Sequence, residues 1–171
     1  MEPRCPLRRP PFSAGFEGAA ETCDGERSTA TGGIEVRFEI TPVGRVESPL
    51  TNLASAPKQG DEGAPEAWLV FEPAVLEALG GIREGDELIV LTWLDRARRD
   101  VLQVHPRGDE SRPQQGVFST RSPHRPNPIG LHPVQVESIH GARVRVRNLE
   151  AVDGTPIIDV KPVIGTEIRG R

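Results

Sequence analysis

Arg121, Ser122, His124, Arg125 and Asn127 stand within one stretch, Gly116-Val-Phe-Ser-Thr-Arg-Ser-Pro-His-Arg-Pro-Asn-Pro-Ile-Gly130. Arginine forks match carboxylates and phosphates bidentately. Histidine exchanges protons near neutral pH, and the asparagine amide can match the donor–acceptor edge of an adenine-like ring. Pro123, Pro126 and Pro128 punctuate the stretch. Each fixes its own φ and restricts the residue before it, so neither a helix nor a central strand fits. The polar side chains are thus held on a loop stiffened in advance. It reads either as a site for a carboxylate, phosphate or heterocycle, or as a surface connector stiffened by proline.

Two further groups share spacing rather than a loop. Asp159 and Lys161 are two apart, so on a strand they point to one face, as a site pair or as an exposed ion pair. Arg143, Arg145 and Arg147 repeat that spacing, giving a solvated face or a phosphate-binding stripe. No serine or cysteine sits in a nucleophile elbow, and the histidines lack metal-ligand spacing. His105, His132 and His140 fall at expected strand ends and turns. Cys5 and Cys23 alone imply neither a disulfide framework nor a metal site.

Short strands must position these residues. Alternation or short apolar runs predict strands at Ile34–Ile40, from Val43 towards Pro49, at Ala67–Phe71, Glu87–Leu94, Val101–His105, Val117–Ser119, Leu131–Ile139, Ala142–Leu149 and Pro156–Lys161. Ile139 breaks the phase of its strand. One short helix follows Glu72-Pro73 and stops at Gly80-Gly81. Leu50–Pro65 is a long loop holding Lys58 and Gln59; His140-Gly141 and Asp153-Gly154 are turns. The fold class is mainly β: one antiparallel barrel domain with one short helix and long loops. No Gly-rich strand-to-helix turn of a dinucleotide fold is present.

The 171 residues suffice for one domain with a core. With 18 Gly and 17 Pro, long helices cannot dominate. The net charge of −4 argues against a wholly basic nucleic-acid binder, although basic residues lead from Gly116 onward. Residues 1–33 are poor in core-forming side chains and read as a disordered extension, leaving 34–171 for the barrel. No apolar run is long enough to span a membrane. No apolar stretch follows Arg4, Arg8 and Arg9, so no secretory signal is expected and the cytoplasm is the expected location.

Gly116-Val-Phe-Ser-Thr-Arg-Ser-Pro-His-Arg-Pro-Asn-Pro-Ile-Gly-Leu131, followed by Asp153-Gly-Thr-Pro-Ile-Ile-Asp-Val-Lys-Pro162, resembles the TrmO family, also called the TsaA-like domain. Val43-Gly-Arg-Val-Glu-Ser-Pro49 fits its opening motif, and Pro57-Lys-Gln59 is similar to its Pro-Arg-Gln. The resemblance implies a barrel that dimerises and binds S-adenosylmethionine. It also implies methyl transfer to N6 of threonylcarbamoyl-adenosine beside the anticodon of tRNA, with no metal. By motif match the cofactor site draws on Gln59, Arg121, Ser122, His124, Arg125, Asn127, Ile129, Lys161 and Pro162, and Asp159 or His124 is the proton acceptor. Two alternatives stay open: the same donor with a small molecule or another RNA as acceptor, and a module that binds S-adenosylmethionine without catalysis. The acidic Gly-Asp-Glu-Gly run after Gln59, Val163 in place of the family's aromatic, and an end at Arg171 before the longer members' further domain all bear on the acceptor.

Overall fold

Alternation of inward and outward side chains builds the barrel that carries the site. The computed structural model describes residues 39–164, which fall in one unit, Phe38–Arg171. The extension 1–33 and most of the strand expected at 34–40 lie outside the described residues; Glu39 and Ile40 are not in a strand. The strands are β1 (Gly44–Glu47), β2 (Ala67–Phe71), β3 (Glu87–Trp93), β4 (Gln103–Val104), β5 (Gln115–Gly116), β6 (Ile129–His140), β7 (Arg143–Arg147) and β8 (Pro156–Pro162). Six close a barrel in the order β1-β2-β7-β6-β3-β8, every neighbouring pair antiparallel. The strands β4 and β5 form a separate ribbon.

Inside the barrel, Val46, Leu69, Val90, Val144, Val146 and Ile157 are fully buried. Each such side chain contributes about 1.5–3 kcal/mol relative to exposure. On β7 the charged residues between them point outward, which is why that strand reads Arg-Val-Arg-Val-Arg. A bulge between Val136 and Ser138 accounts for the phase break at Ile139.

The expected helix forms at Pro73–Leu79 as a 3-10 helix, ended by Gly81 at φ +98°. Only Val75 and Leu79 pack on the core, a contact that one narrow edge of a 3-10 helix can supply. Two expected strands differ. Val101–His105 keeps only two strand residues and pairs with β5 outside the barrel. Val117–Ser119 is a 3-10 turn, closed by Thr120 N–H donating to Val117 O (3.1 Å) and Ser119 Oγ donating to Gly116 O (2.8 Å).

Antiparallel strands send successive connections to alternate ends. Segments 48–66, 94–128 and 148–155 therefore leave from one rim, while 72–86 and 141–142 lie at the other. The rim segments interlock. Asp153 N–H donates to Leu50 O (2.7 Å), Asp153 Oδ1 accepts from Ser48 N–H (3.0 Å), and Arg107 meets Glu62 at 2.6 Å. The Lys58 ammonium donates to Arg107 O.

Candidate active site

Arg125 is the clamp of the proline loop. Its Nε donates to Ser122 O (2.8 Å), and its Nη2 donates to Val117 O (3.1 Å) and Thr120 O (2.6 Å). Its backbone N–H donates to Arg98 O (3.0 Å). A turn rich in proline has few N–H groups to offer its own carbonyls; the guanidinium fork supplies donors to Ser122 O and Thr120 O and a further one to Val117 O, which Thr120 N–H already meets. Arg121, one turn earlier, is exposed, and its guanidinium has no partner among the described residues. The two arginines of the motif therefore divide into a clamp and a cation with no partner among the described residues.

The Nδ1 of His124 accepts from Arg98 N–H (3.0 Å). In the neutral ring the proton then sits on Nε2, which makes that edge a donor. The lone pair that a proton acceptor needs is already engaged. Beside it, Arg98 grips Asp100 with two bonds (3.2 and 2.9 Å). That grip, more than any other contact, holds the Asp100 carboxyl below the usual carboxylate range.

The loop feeds directly into the outer wall. Pro128 is buried, its carbonyl accepting from Leu94 N–H (2.8 Å). Ile129 pairs with Trp93, and Leu131 with Leu91, which in turn pairs with Asp159. Ile129 and Leu131 are each 40% exposed. Lys161 stands opposite Ile89 on the same face, and its Nζ lies 2.7 Å from Asp159 Oδ2. Asp159 Oδ1 accepts from Val160 N–H (2.8 Å). Ser122 is half-buried and Asn127 exposed on the loop itself. Gln59 reaches the same rim on segment 48–66, half-buried, with its carbonyl accepting from Glu62 N–H (3.1 Å). Pro162 pairs with Leu88, at the end of β3 away from the rim. The rim thus gathers Gln59, Arg121, Ser122, His124, Arg125, Asn127 and Ile129; Asp159 and Lys161 adjoin it on the wall, and Pro162 does not.

The arginine stripe is a solvated, paired face. Arg143 meets Glu47 at 2.5 Å, Arg147 meets Glu137 at 3.2 Å, and Arg145 pairs with Glu66. Arg143 also lies over the Trp68 ring, 5.1 Å from its centroid. A groove of about 610 Å³ lies beside this face, lined by Arg45, Glu47, Ser48, Glu66, Trp68 and Asp153 among others. None of the proline-loop residues lines it, and much of its charge is neutralised in pairs.

His132 departs from its expected place at a strand end. It lies in β6 with the parity of Val134 and Val136 and is buried inside the barrel under the rim. Its Nε2 is 2.8 Å from Thr92 Oγ1, and its Nδ1 lies 2.9 Å from Glu150 Oε1. The latter pair is close but poorly aligned, and Glu150 Oε2 is buried without a partner. A Cβ on Gly130 would collide with the Thr92 hydroxyl and stand 2.5 Å from His132 Nε2. A Cβ on Gly60 would strike Asn148 O and stand 3.2 Å from Glu150 Oε2. Two glycines, one beside Gln59 and one ending the proline loop, thus seat their segments on one buried polar row. Among the described residues no cluster of three His, Cys, Asp or Glu could hold a metal ion, and no helix is long and apolar enough to cross a membrane.

The model of the tRNA-methyltransferase O N-terminal domain matches residues 45–166. A probable S-adenosyl-L-methionine-binding protein of Methanothermobacter thermautotrophicus is 44% identical over 128 residues, 75% of this chain and 91% of the relative. An S-adenosyl-L-methionine-binding protein of Archaeoglobus fulgidus is 40% identical over 122 residues, 71% of this chain and 86% of the relative. The crystal structure of TrmO from Pseudomonas aeruginosa superposes with a TM-score of 0.63 at 26% identity, covering 80% of this chain and 62% of that one. The chain belongs to the TrmO family through this N-terminal domain.

Proposed function

We propose that the chain is an S-adenosylmethionine-dependent methyltransferase acting on N6 of threonylcarbamoyl-adenosine next to the anticodon of tRNA. The observation that carries this reading is the convergence of the clamped proline loop and the Gln59 segment on one rim, beside an outer wall bearing Asp159. The donor set fits the cofactor. Arg121 offers an exposed guanidinium, unpaired among the described residues, for an amino-acid carboxylate, and Ile129 and Leu131 offer exposed apolar surface beside it. The family relationship supports the same cofactor.

When bound, S-adenosylmethionine supplies a methyl group already activated on a sulfonium, so the protein's task is alignment and proton removal. Arg125 keeps the loop in shape, and Arg121 holds the carboxylate. Asp159 is the proton acceptor for the weakly nucleophilic, carbamoylated nitrogen, its Oδ2 oriented by Lys161. His124 is the other candidate; its engaged Nδ1 suits it better to donate from Nε2 than to accept. Ser122, Asn127 and Gln59 supply polar contacts at the rim. Lys161 serves the cofactor side through its ammonium, and Pro162 enters only as the end of the same strand. The protein works as a cytoplasmic homodimer, the second copy covering Phe118, which is 82% exposed.

A second reading keeps the methyl donor and replaces tRNA by another acceptor. The pairing of Arg143, Arg145 and Arg147 with carboxylates favours it, because that face has little uncompensated charge for phosphate. Transfer of labelled methyl to bulk tRNA, with and without the threonylcarbamoyl group, tests the first reading. Label in the modified tRNA alone is expected. Label in neither, from protein that binds the cofactor, sinks the tRNA assignment.

A further inference from the structure

Trp93 ends β3, and because Thr92 faces inward the Trp93 ring faces outward, paired with Ile129. It stands two residues from Leu91, whose partner is Asp159, or about 7 Å along the strand. The Leu94–Pro128 bond sets it where the proline loop joins the wall. A cation already lies on it: Arg99 Cζ is 5.1 Å from the ring centroid. The neighbouring Arg98 is spent on Asp100, whereas no carboxylate pairs with Arg99 among the described residues. The electron-rich ring face is what holds Arg99, and Arg99 is exposed, so a change of rotamer frees the ring.

We propose that Trp93 is the residue that reads the positive charge of the methyl donor: its ring face, occupied by Arg99 in the free protein, takes the sulfonium of S-adenosylmethionine. This rests on the cofactor reading above. The sulfonium charge and its methyl group are what separate the donor from S-adenosylhomocysteine, the neutral product. A ring that attracts cations therefore binds the donor and lets the product go. Ile129 and Leu131 beside it cannot discriminate the two, since they see only apolar surface.

The test is calorimetric titration of the full chain with each of the two molecules. In Trp93→Leu the preference for S-adenosylmethionine over S-adenosylhomocysteine should shrink by about three- to thirty-fold, chiefly through the donor. Trp93→Phe should restore part of it, because a smaller aromatic face remains. Arg99→Ala should raise the preference, because the competing cation is gone, and it leaves the strand untouched if Trp93→Leu fails to fold. Equal loss for both molecules in Trp93→Leu, or an unchanged preference in Arg99→Ala together with Trp93→Phe, overturns the proposal. Wild-type protein that binds neither molecule overturns the cofactor reading and the Trp93 assignment with it.

Discussion

Arg121 and Arg125 are identical in type and four positions apart, yet their surroundings give them different work. Arg125→Ala removes donors from three carbonyls of a part-buried turn and should cost about 1–3 kcal/mol of stability, read by chemical denaturation. Arg121→Ala touches no partner among the described residues and should change stability by less than about 0.5 kcal/mol. Its cofactor affinity should nonetheless fall by about tenfold or more. Unchanged affinity by calorimetry would remove Arg121 from the site. The grip of Arg98 on Asp100 makes a titration prediction. The folded carboxyl titrates below its unfolded value, so its contribution to stability is present above the unfolded pKa and is lost as pH falls through the folded one. The pair is fully exposed, so the readout is the Asp100 resonance itself. In Arg98→Ala its midpoint should rise; an unmoved midpoint counts against the grip. The sequence showed a crowd of polar residues on a stiff loop. It could not show the division of labour, because which carbonyls face the Arg125 guanidinium depends on the turn that Val117–Ser119 makes instead of a strand.

At the scale of elements, the barrel strands were legible from alternation or from short apolar runs, and the outlying ribbon was not. The alternating β7 and the short apolar run of β2 were plain in the sequence, and so was the phase break at Ile139, which the structure explains as a bulge. The segment Val101–His105 looks like a wall strand by composition, but pairing is non-local and places its two strand residues in an outlying ribbon. His132 was misplaced although its parity with Val134 and Val136 pointed inward; a polar residue at an inward position is the signal that could have found it. Its row with Thr92 and Glu150 carries a prediction. Gly130→Ala puts a methyl group against the Thr92 hydroxyl and the His132 ring and should destabilise by about 1–3 kcal/mol. Thr92→Val, of nearly the same shape, leaves Nε2 unpaired and should cost about 1–3 kcal/mol. Denaturation midpoints equal to wild type in both variants would mean that the row does not brace the rim.

Over the whole molecule, antiparallel order does the gathering. Segments 48–66 and 94–128 are far apart in sequence, and only the barrel's alternation of ends brings Gln59 and the proline loop to one rim. That convergence was not readable from spacing; the family resemblance implied it and the topology explains it. The molecule offers two outer faces of different character. The β6-β3-β8 wall carries exposed apolar residues and Asp159, while the β1-β2-β7 wall carries paired charges and the groove by Trp68. On the function proposed above, S-adenosylmethionine binds at the first. Hydrogen exchange of the full chain, with and without S-adenosylmethionine, tests it most directly. Protection is expected in residues 57–64, 94–99, 117–131 and 157–161, with 66–70 and 143–147 unchanged. Protection centred on 45–49 and 66–70, with the proline loop unaffected, would place the cofactor in the groove by Trp68 and contradict the account.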